Sequence, residues 1–287
     1  MVKFLILGCN GMAGSTISLY LTKRGHDVTG FARSNSKCVT TIIGDALNFD
    51  KLSEVIQSNN YDCVVNCIGI LNQFANDNPE IATKLNAELP HFLKQITEGT
   101  NTKVIHISTD CVFSGKVGGY TESSKPDETS IYGKTKADGE INDNKNITLR
   151  QSIVGPDIKK EGIGLFNWFI KQTGNIYGFK NVIWSGITTL ELAKVIEYVS
   201  TNKNAVGLVN MVNNDVISKF DLLNLFKKYT KRNDIIINEN TDKKENKSLI
   251  RTNFNFEYKI PSYEEMVKEM VCFIDENEDY YLSYKRD

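Results

Sequence analysis

The chain has 287 residues, of which 40% are hydrophobic and 24% are charged, and its formal net charge is −1. This length is sufficient for one large domain or for two interlocked lobes with a sizeable core. A nearly neutral chain has no overall positive field that would attract nucleic acid or an anionic membrane, so we expect neither partner. An anionic substrate would therefore need a local basic pocket.

The six cysteines lack the CxxC spacing of structural metal sites. Cys63 and Cys67 lie four residues apart in an apolar segment without a nearby histidine, so we expect no metal and free thiols in a reducing compartment. The chain begins with only a short apolar run, and no stretch approaches the ~20 apolar residues of a membrane span. These features predict a soluble, cytoplasmic protein.

Short β-branched segments alternate with amphipathic segments through the first half of the chain. The predicted strands cover residues 2–7, 27–31, 39–43, 63–68 and 104–107. The predicted helices cover residues 12–24, 47–58 and 79–97. Strands that are apolar on both faces and alternate with helices are typical of βαβ units. The sequence therefore predicts an α/β fold with a Rossmann-type, doubly wound parallel sheet.

The pattern changes after Gln151. We predict helices over residues 165–172, 188–200, 218–229 and 261–276, and one further strand of the same sheet over 206–211. The charged segment 238–247 is typical of a solvated loop. We predict a dinucleotide-binding domain formed by residues 1–154, with 183–211 returning to it. A smaller substrate lobe is expected mainly from residues 155–287.

A glycine-rich segment follows the first predicted strand and opens the first helix: Gly8-Cys9-Asn10-Gly11-Met12-Ala13-Gly14. Glycine permits a sharp turn and a close approach of a ligand, and the helix N-terminus offers N–H groups to an anion. The spacing GxxGxxG in this context predicts a dinucleotide site. We expect its pyrophosphate to be held by residues Gly8, Asn10, Gly11, Met12 and Gly14.

The second predicted strand ends at Arg33 and Ser34, without the carboxylate that would bind the ribose of NAD. Arginine and serine suit a 2′-phosphate, which favours NADPH over NADH, although Arg33 could also be an ordinary surface residue. Asp45 and Ala46 follow the third strand and are expected near the adenine. The segment Cys67-Ile68-Gly69 follows the fourth strand and is expected near the nicotinamide. Each of these two segments could also be only a turn.

Tyr132 and Lys136 lie four residues apart and share one face of a helix. An ammonium near a phenol favours the phenolate, so we expect Lys136 to lower the pKa of Tyr132 toward neutrality. Thr109 ends the fifth strand, where open α/β sheets bind their ligands. Its hydroxyl is placed to hydrogen-bond a keto oxygen that Tyr132 protonates.

The segment Ser108-Thr109-Asp110-Cys111-Val112-Phe113-Ser114-Gly115 resembles the STDYVFxG motif of the dTDP-4-dehydrorhamnose reductase family, a group of extended short-chain dehydrogenase/reductases. Tyr132 follows Thr109 by 23 residues, as such a family expects, and the resemblance covers nearly the whole chain. The resemblance implies a Thr109, Tyr132 and Lys136 triad, with Lys136 holding the nicotinamide ribose. It also implies NADPH-dependent reduction of the 4-keto group of a nucleotide sugar in deoxysugar or polysaccharide biosynthesis.

Two departures from the family pattern concern the substrate. Cys111 replaces a tyrosine, and residues 65–73 lack the usual alanine-rich segment. With the tail 248–263, these features are more similar to the branch that acts on UDP-linked 2-acetamido-6-deoxy-4-ketohexoses. In that branch, reduction at carbon 4 can accompany epimerisation at carbon 3, for which Cys111 is a candidate acid–base group.

Further expectations concern binding and alternative activities. The residues expected to bind the sugar nucleotide are Thr109, Asp110, Cys111, Phe113, Trp184 and Arg251. A 4,6-dehydratase would need an Asp-Glu pair where this chain has Asp110-Cys111, whereas a 4-epimerase or a non-catalytic, NADP-binding regulatory subunit could use the same scaffold. The amphipathic helix over 79–97 could form a homodimer, although it also fits packing against the sheet.

Overall fold

The computed structural model describes residues 1–284 as a mixed α/β structure. Its strands are, in chain order, β1 (Lys3–Leu7), β2 (Asp27–Ala32), β3 (Thr41–Ile43), β4 (Cys63–Asn66), β5 (Lys103–Ser108), β6 (Ile147–Arg150), β7 (Ile153–Val154), β8 (Gly174–Phe179), β9 (Val182–Trp184), β10 (Ile187–Thr188), β11 (Gly207–Asn210), β12 (Ile217–Ser218), β13 (Ile235–Asn240) and β14 (Glu245–Asn246).

The helices are α1 (Met12–Lys23), α2 (Phe49–Gln57), α3 (Asn72–Asp77), α4 (Pro79–Ala82), α5 (Leu89–Ile96), α6 (Ile131–Asp138), α7 (Leu165–Ile170), α8 (Thr189–Thr201), α9 (Lys219–Thr230) and α10 (Tyr263–Asp275). A π-helical turn (Thr83–Glu88) joins α4 to α5, and 3-10 turns cover Asp110–Val112 and Leu282–Tyr284. Over residues 1–284, every helix is too short or too polar to cross a bilayer.

Seven strands form one parallel sheet in the order β11-β6-β5-β4-β1-β2-β3. The chain moves outward from β1 to β3, then returns to the other side of β1 and continues outward through β4, β5 and β6. This reversal between β1 and β4 defines a doubly wound sheet with a topological switch point. The predicted fold class is confirmed, and the strand expected at 206–211 is observed as β11 beside β6.

Alternating side chains of the strands build two separate hydrophobic layers. Phe4 and Ile6 of β1 pack with the buried faces of α1 and α8 on one side of the sheet. Leu5 and Leu7 pack with the buried residues of α2 and α5 on the other side. A strand covered on both faces has no polar positions, which is why β1 reads as a continuous apolar run.

Smaller sheets lie outside this core. They consist of the pairs β10-β7 and β13-β8 and the three strands β12-β9-β14. The predicted loop over residues 238–247 is wrong at both ends, because Asn238–Asn240 complete β13 and Glu245–Asn246 form β14, whereas residues 241–244 lie outside the strands. These polar segments are strands because their backbones pair with β8 and β9, an interaction that side-chain hydrophobicity does not report.

The third predicted helix is interrupted by the π-helical turn. Pro90 has no backbone N–H and cannot donate to the carbonyl of Asn86, four residues earlier. Gly139 lies against that carbonyl, since a Cβ at Gly139 would come within 2.0 Å of it. The Asn86 side chain in turn donates to the Ile70 carbonyl at 3.0 Å and accepts from the Ile70 N–H at 2.8 Å. The π turn therefore places Asn86 where it anchors the chain that follows β4.

Candidate active site

The glycine-rich turn lies between β1 and α1, at the carboxyl edge of the sheet. Gly8 has a φ of +80°, in the left-handed region that favours glycine. A Cβ at Gly14 would lie 2.2 Å from the Gly8 carbonyl oxygen, so the turn leaves no room for a side chain there. Gly11 is the N-cap of α1 and no side chain caps this end of the helix. The turn therefore fits the pyrophosphate of a dinucleotide.

Two other residues expected to bind the pyrophosphate have protein contacts of their own. Asn10 Nδ2 donates to the Ser34 carbonyl at 2.8 Å, which ties the turn to the loop that follows β2. The sulfur of Met12 lies 3.9 Å from Asn167 Nδ2, so Met12 faces α7. Arg33 and Ser34 are exposed at the end of β2. Their positions leave the guanidinium and the hydroxyl accessible to a phosphate.

A cavity of about 530 Å³ lies beside the end of β3. It is lined by Asp45, Leu47, Asn48, Phe49, Asp50 and Lys84. The Asp45 carboxylate accepts a hydrogen bond from the Leu47 N–H at 3.0 Å and remains exposed, whereas Ala46 is buried. The structure therefore places the expected adenine contacts next to an open cavity.

The end of β4 packs against the glycine-rich turn. A Cβ at Gly8 would lie 3.1 Å from the Ile68 side chain and 3.3 Å from the Cys67 carbonyl carbon. Burial raises the pKa of the Cys67 thiol to about 12. The segment Cys67-Ile68-Gly69 therefore borders the mouth of the sheet, as expected for a wall of the nicotinamide site, with a neutral thiol.

Thr109 follows β5 directly and meets Tyr132 of α6. Its hydroxyl accepts from the Cys111 N–H at 3.1 Å and lies 3.2 Å from Asp110 Oδ1. The Thr109 side chain lies close enough to the Tyr132 phenol to lower its pKa. Ser130 caps α6 by accepting from the Gly133 N–H, which fixes the start of the helix that carries Tyr132. The structure thus brings the predicted phenol and hydroxyl together.

Lys136 lies one turn after Tyr132 on α6, and its side chain is turned toward β5. Its Nζ donates to the Ile107 carbonyl at 2.7 Å and lies 3.5 Å from His106 Nε2. Burial lowers the pKa of Lys136 to about 8. Burial also raises the pKa of Tyr132, with the Cys111 thiol acting in the same direction and the Thr109 side chain acting against it. The expectation that Lys136 lowers the pKa of Tyr132 is therefore wrong for this arrangement, because desolvation of the phenol prevails.

The side chain of Lys247 lies near Asp110 and Cys111, the two residues that follow Thr109. Burial raises the pKa of the Asp110 carboxyl, and the charge of Lys247 acts against that rise. Lys247 Nζ lies 3.3 Å from Glu128 Oε2. Burial also raises the pKa of the Cys111 thiol to about 12. Sequence reasoning missed Lys247 because it lies within the segment that we assigned to a solvated loop.

Phe113 does not face a substrate, which corrects its predicted role. It is completely buried, and its ring stacks on Tyr120 with centroids 4.1 Å apart. The guanidinium of Arg150 lies 5.1 Å from the centre of the Phe113 ring. Phe113 belongs to a small core cluster behind the candidate site.

A buried ion pair supports the end of β5 from behind. Arg150 Nε donates to Glu140 Oε1 at 2.7 Å, and the Ser108 hydroxyl donates to the same oxygen at 2.7 Å. Arg150 is 1% exposed. Such a pair holds its neighbours in one geometry, because either charge alone would be buried without compensation. Ser108, the residue before Thr109, is therefore fixed by residues for which the sequence offered no assignment.

Two more predicted substrate residues are structural. Trp184 is 6% exposed and packs 5.8 Å from the Tyr263 ring in the main core. Arg251 is 3% exposed, and its guanidinium donates to the carbonyls of Asn253, Tyr258 and Phe256 at 3.0, 3.0 and 2.7 Å. These bonds use three of the five N–H donors of the guanidinium and hold Arg251 against its own loop. The predicted substrate contacts at Trp184 and Arg251 are therefore wrong.

Solved structures share this fold. The dTDP-4-dehydrorhamnose reductase of Bacillus anthracis strain Ames, solved in complex with NADP, superposes with a TM-score of 0.79. That comparison covers 96% of this chain and 99% of the other chain at 20% sequence identity. At this identity the similarity shows the fold alone.

Curated relatives match part of the chain. A dTDP-4-dehydrorhamnose reductase of Mycolicibacterium smegmatis is 34% identical over 142 residues, which is 48% of this chain and 40% of the relative. The methionine adenosyltransferase 2 subunit beta of Xenopus laevis is 27% identical over 167 residues, which is 55% of this chain and 48% of the relative. The matches thus span about half the length of these relatives.

A family model covers almost the whole chain. The model described as the RmlD substrate binding domain matches residues 2–271. The match includes the glycine-rich turn, Thr109, Tyr132 and Lys136. The chain therefore belongs to the RmlD substrate-binding domain family.

Proposed function

We propose that this protein is an NADPH-dependent reductase that acts on the 4-keto group of a nucleotide-linked 4-keto-6-deoxyhexose. The observation that carries the proposal is the proximity of the Thr109 hydroxyl to the Tyr132 phenol, close enough to lower its pKa, at the carboxyl edge of the sheet beside the glycine-rich turn. A phenol and a hydroxyl that converge there can bind one carbonyl oxygen together. The reductase names of the relative from M. smegmatis and of the B. anthracis structure agree with this reaction class.

The residues of the turn fit NADPH. Gly14 lets the start of α1 pack against the Gly8 carbonyl, which a Cβ would approach to 2.2 Å, and Arg33 and Ser34 lie exposed where a 2′-phosphate would need a cation and a donor. The complex of the B. anthracis protein with NADP is consistent with this choice. When bound, NADPH would supply the hydride for carbon 4 of the sugar.

The protein would supply the proton and the orientation. Tyr132 would donate its proton to the keto oxygen, because the phenol is protonated at neutral pH. Thr109 would orient the carbonyl through its hydroxyl. Lys136, held by the Ile107 carbonyl, would bind the nicotinamide ribose and return a proton to the phenol.

Lys247 is a candidate cation for the substrate side of the site. Lys247 stands near Asp110 and Cys111 and pairs with Glu128, so it is placed to approach an anionic or strongly polar group of the substrate. We assign to Lys247 the role that sequence reasoning gave to Arg251. Both dTDP- and UDP-linked sugars, including 2-acetamido sugars, remain within the proposal.

Epimerisation at carbon 3 is not favoured. It requires a base that removes a proton next to the carbonyl, and Cys111 was the candidate for this role. Burial and the neighbouring Asp110 raise the pKa of this thiol to about 12. A thiol that stays protonated at neutral pH is a poor base, so we do not assign this role to Cys111.

Two alternatives use the same scaffold. A 4,6-dehydratase lacks its second carboxyl group here, since Cys111 follows Asp110. A non-catalytic regulatory subunit is favoured by one observation, the similarity to a chain named as the beta subunit of methionine adenosyltransferase 2. The contact between Thr109 and Tyr132 argues for catalysis, because a subunit that only binds NADP has no need for it.

A substrate panel tests the proposal. Purified protein is mixed with NADPH and with dTDP- and UDP-linked 4-keto-6-deoxyhexoses, with and without a 2-acetamido group, and NADPH oxidation is followed by absorbance. We expect stoichiometric oxidation with at least one sugar and a slower reaction with NADH. Tight NADPH binding without reduction of any sugar in the panel would instead favour the regulatory subunit. Product formation without net NADPH oxidation would favour an epimerase.

A further inference from the structure

His106 lies in β5 behind the candidate site, and the proposed reaction gives it no part. The residue is completely buried, its Nε2 lies 3.5 Å from Lys136 Nζ, and its Nδ1 lies 3.2 Å from Asn66 Nδ2. Burial, together with the charges of Lys136 and His91, holds the pKa of His106 well below its usual value. The imidazole is therefore neutral and carries one hydrogen, on either Nδ1 or Nε2.

The hydrogen bonds of Asn66 decide which nitrogen carries that hydrogen. The Ile68 N–H donates to Asn66 Oδ1 at 3.1 Å, so the amide oxygen must face Ile68 and the NH2 group must face His106. An NH2 group can only donate, so Nδ1 of His106 must present its lone pair. The hydrogen then lies on Nε2, the nitrogen that faces Lys136.

This tautomer places a donor opposite an ammonium, which has no acceptor. The contact disfavours charged Lys136 and favours the neutral amine, whose lone pair can accept the Nε2 hydrogen. Burial acts in the same direction, whereas Glu140, Cys67 and the Ile107 carbonyl favour the charged form. The charged form of Lys136 is thus favoured by some of its neighbours and disfavoured by others.

We infer that Asn66 and His106 lower the proton affinity of Lys136, because Asn66 fixes the tautomer in which His106 presents an N–H donor to the Lys136 amine. His106 is a positioning residue that acts through Lys136 and does not touch the substrate. In the proposed reaction, Lys136 would return to Tyr132 the proton that the phenol gives to the substrate. This role rests on the proposed function. The arrangement itself can be measured without any substrate.

The first measurement is the 15N spectrum of protein labelled at histidine nitrogens, in which the His106 signals are identified by their loss in H106Q. We expect the shifts of a neutral ring with hydrogen on Nε2 and a bare Nδ1, unchanged across neutral pH. A ring with its hydrogen on Nδ1, or an imidazolium, would overturn the inference. This measurement uses the wild-type protein, so it stands even where a variant folds poorly.

The second measurement follows the pH titration of the lysine Cε signal of Lys136, identified by its loss in K136R. The wild-type midpoint is expected near pH 8. In H106Q the amide oxygen can accept from the ammonium, so the midpoint should rise by about one pH unit or more. H26Q carries the same substitution at a distant histidine and should leave the midpoint unchanged. An equal midpoint in H106Q and wild type would overturn the inference, whatever the substrate panel shows.

Discussion

The Thr109 hydroxyl lies beside the Tyr132 phenol and lowers its pKa, where the end of β5 meets the start of α6. Gly133 permits this contact, because a Cβ at that position would lie 2.6 Å from the Cys111 carbonyl oxygen and would push the helix away. The helix that carries the phenol can therefore approach the strand that carries the hydroxyl. This relationship is the structural basis of the proposed reaction.

Removal of the phenolic hydroxyl should abolish most of the proton transfer. The Tyr132→Phe variant keeps the ring, so NADPH binding should be little changed, while kcat should fall by ~10²–10⁴-fold because general acid catalysis is lost. Steady-state kinetics and fluorescence titration with NADPH check the two parts separately. A variant that turns over at a nearly wild-type rate would exclude Tyr132 as the acid.

Arg33 should discriminate between NADPH and NADH. Loss of a charged hydrogen bond costs roughly 1.5–3 kcal/mol, so Arg33→Ala should weaken NADPH binding by about tenfold or more and leave NADH binding almost unchanged. Lys37→Ala removes a charge from another exposed side chain of the same loop and serves as the control. Isothermal titration of both dinucleotides gives the comparison. Equal losses for NADPH and NADH would show that Arg33 does not bind the 2′-phosphate.

Gly14 should be essential for the shape of the glycine-rich turn. In Gly14→Ala the new Cβ would collide with the Gly8 carbonyl at 2.2 Å, so the turn must open and NADPH binding should be lost. Overpacking of this kind costs roughly 1–3 kcal/mol of unfolding free energy. Gly25→Ala is the matched control, because its Cβ meets nothing within 4 Å although its φ is +81°. The control should lose some stability in urea and keep its NADPH affinity.

Activity should decline on the alkaline side as Lys136 loses its proton. Burial lowers the pKa of Lys136 to about 8, so the charged form predominates below that pH and disappears above it. The pH profile of kcat/KM, which reports the free enzyme, should therefore fall near pH 8. In Lys136→Arg this alkaline limb should move well above pH 8, because a guanidinium stays protonated, although the rate itself is expected to be lower. If the alkaline limb of kcat/KM lay at the same pH in the wild type and in Lys136→Arg, the limb would report a group other than Lys136.

Lys247 and Arg251 should respond in opposite ways. Lys247→Ala should raise KM by about tenfold, since a charged contact is worth roughly 1.5–3 kcal/mol, and should change stability little. Arg251→Met leaves three backbone carbonyls without their donor and should lower the free energy of unfolding by ~1–3 kcal/mol with little effect on KM. Urea unfolding and substrate kinetics on both variants test the assignment. If KM rose more in Arg251→Met than in Lys247→Ala, Arg251 and not Lys247 would be the residue that binds the substrate.

Several parts of the fold were predictable from local pattern. The parallel sheet follows from short strands that are apolar on both faces, and the glycine-rich turn follows from its place between β1 and α1. The segment around Thr109 and the spacing to Tyr132 led to the family that the family model confirms. The division into two domains, the homodimer and the cytoplasmic location stay predictions.

Other parts depend on tertiary contacts that a sequence pattern does not report. Phe113 and Arg251 have residue types common in binding sites, but neighbours that only the fold supplies bury both of them. Lys247 was hidden in a charged segment whose strand depends on pairing with β9. His106 acquires its proposed role from a hydrogen bond with Asn66, which is distant in sequence.

Hydride transfer to the sugar is the central claim, and isotope labelling tests it most directly. The protein is incubated with NADPH that carries deuterium at both positions of nicotinamide carbon 4, together with the best 4-keto sugar nucleotide from the panel, and the product is analysed by mass spectrometry and NMR. We predict one deuterium atom at carbon 4 of the sugar for each NADPH consumed. A product without deuterium at carbon 4, or bound NADPH that is never consumed, would contradict the account.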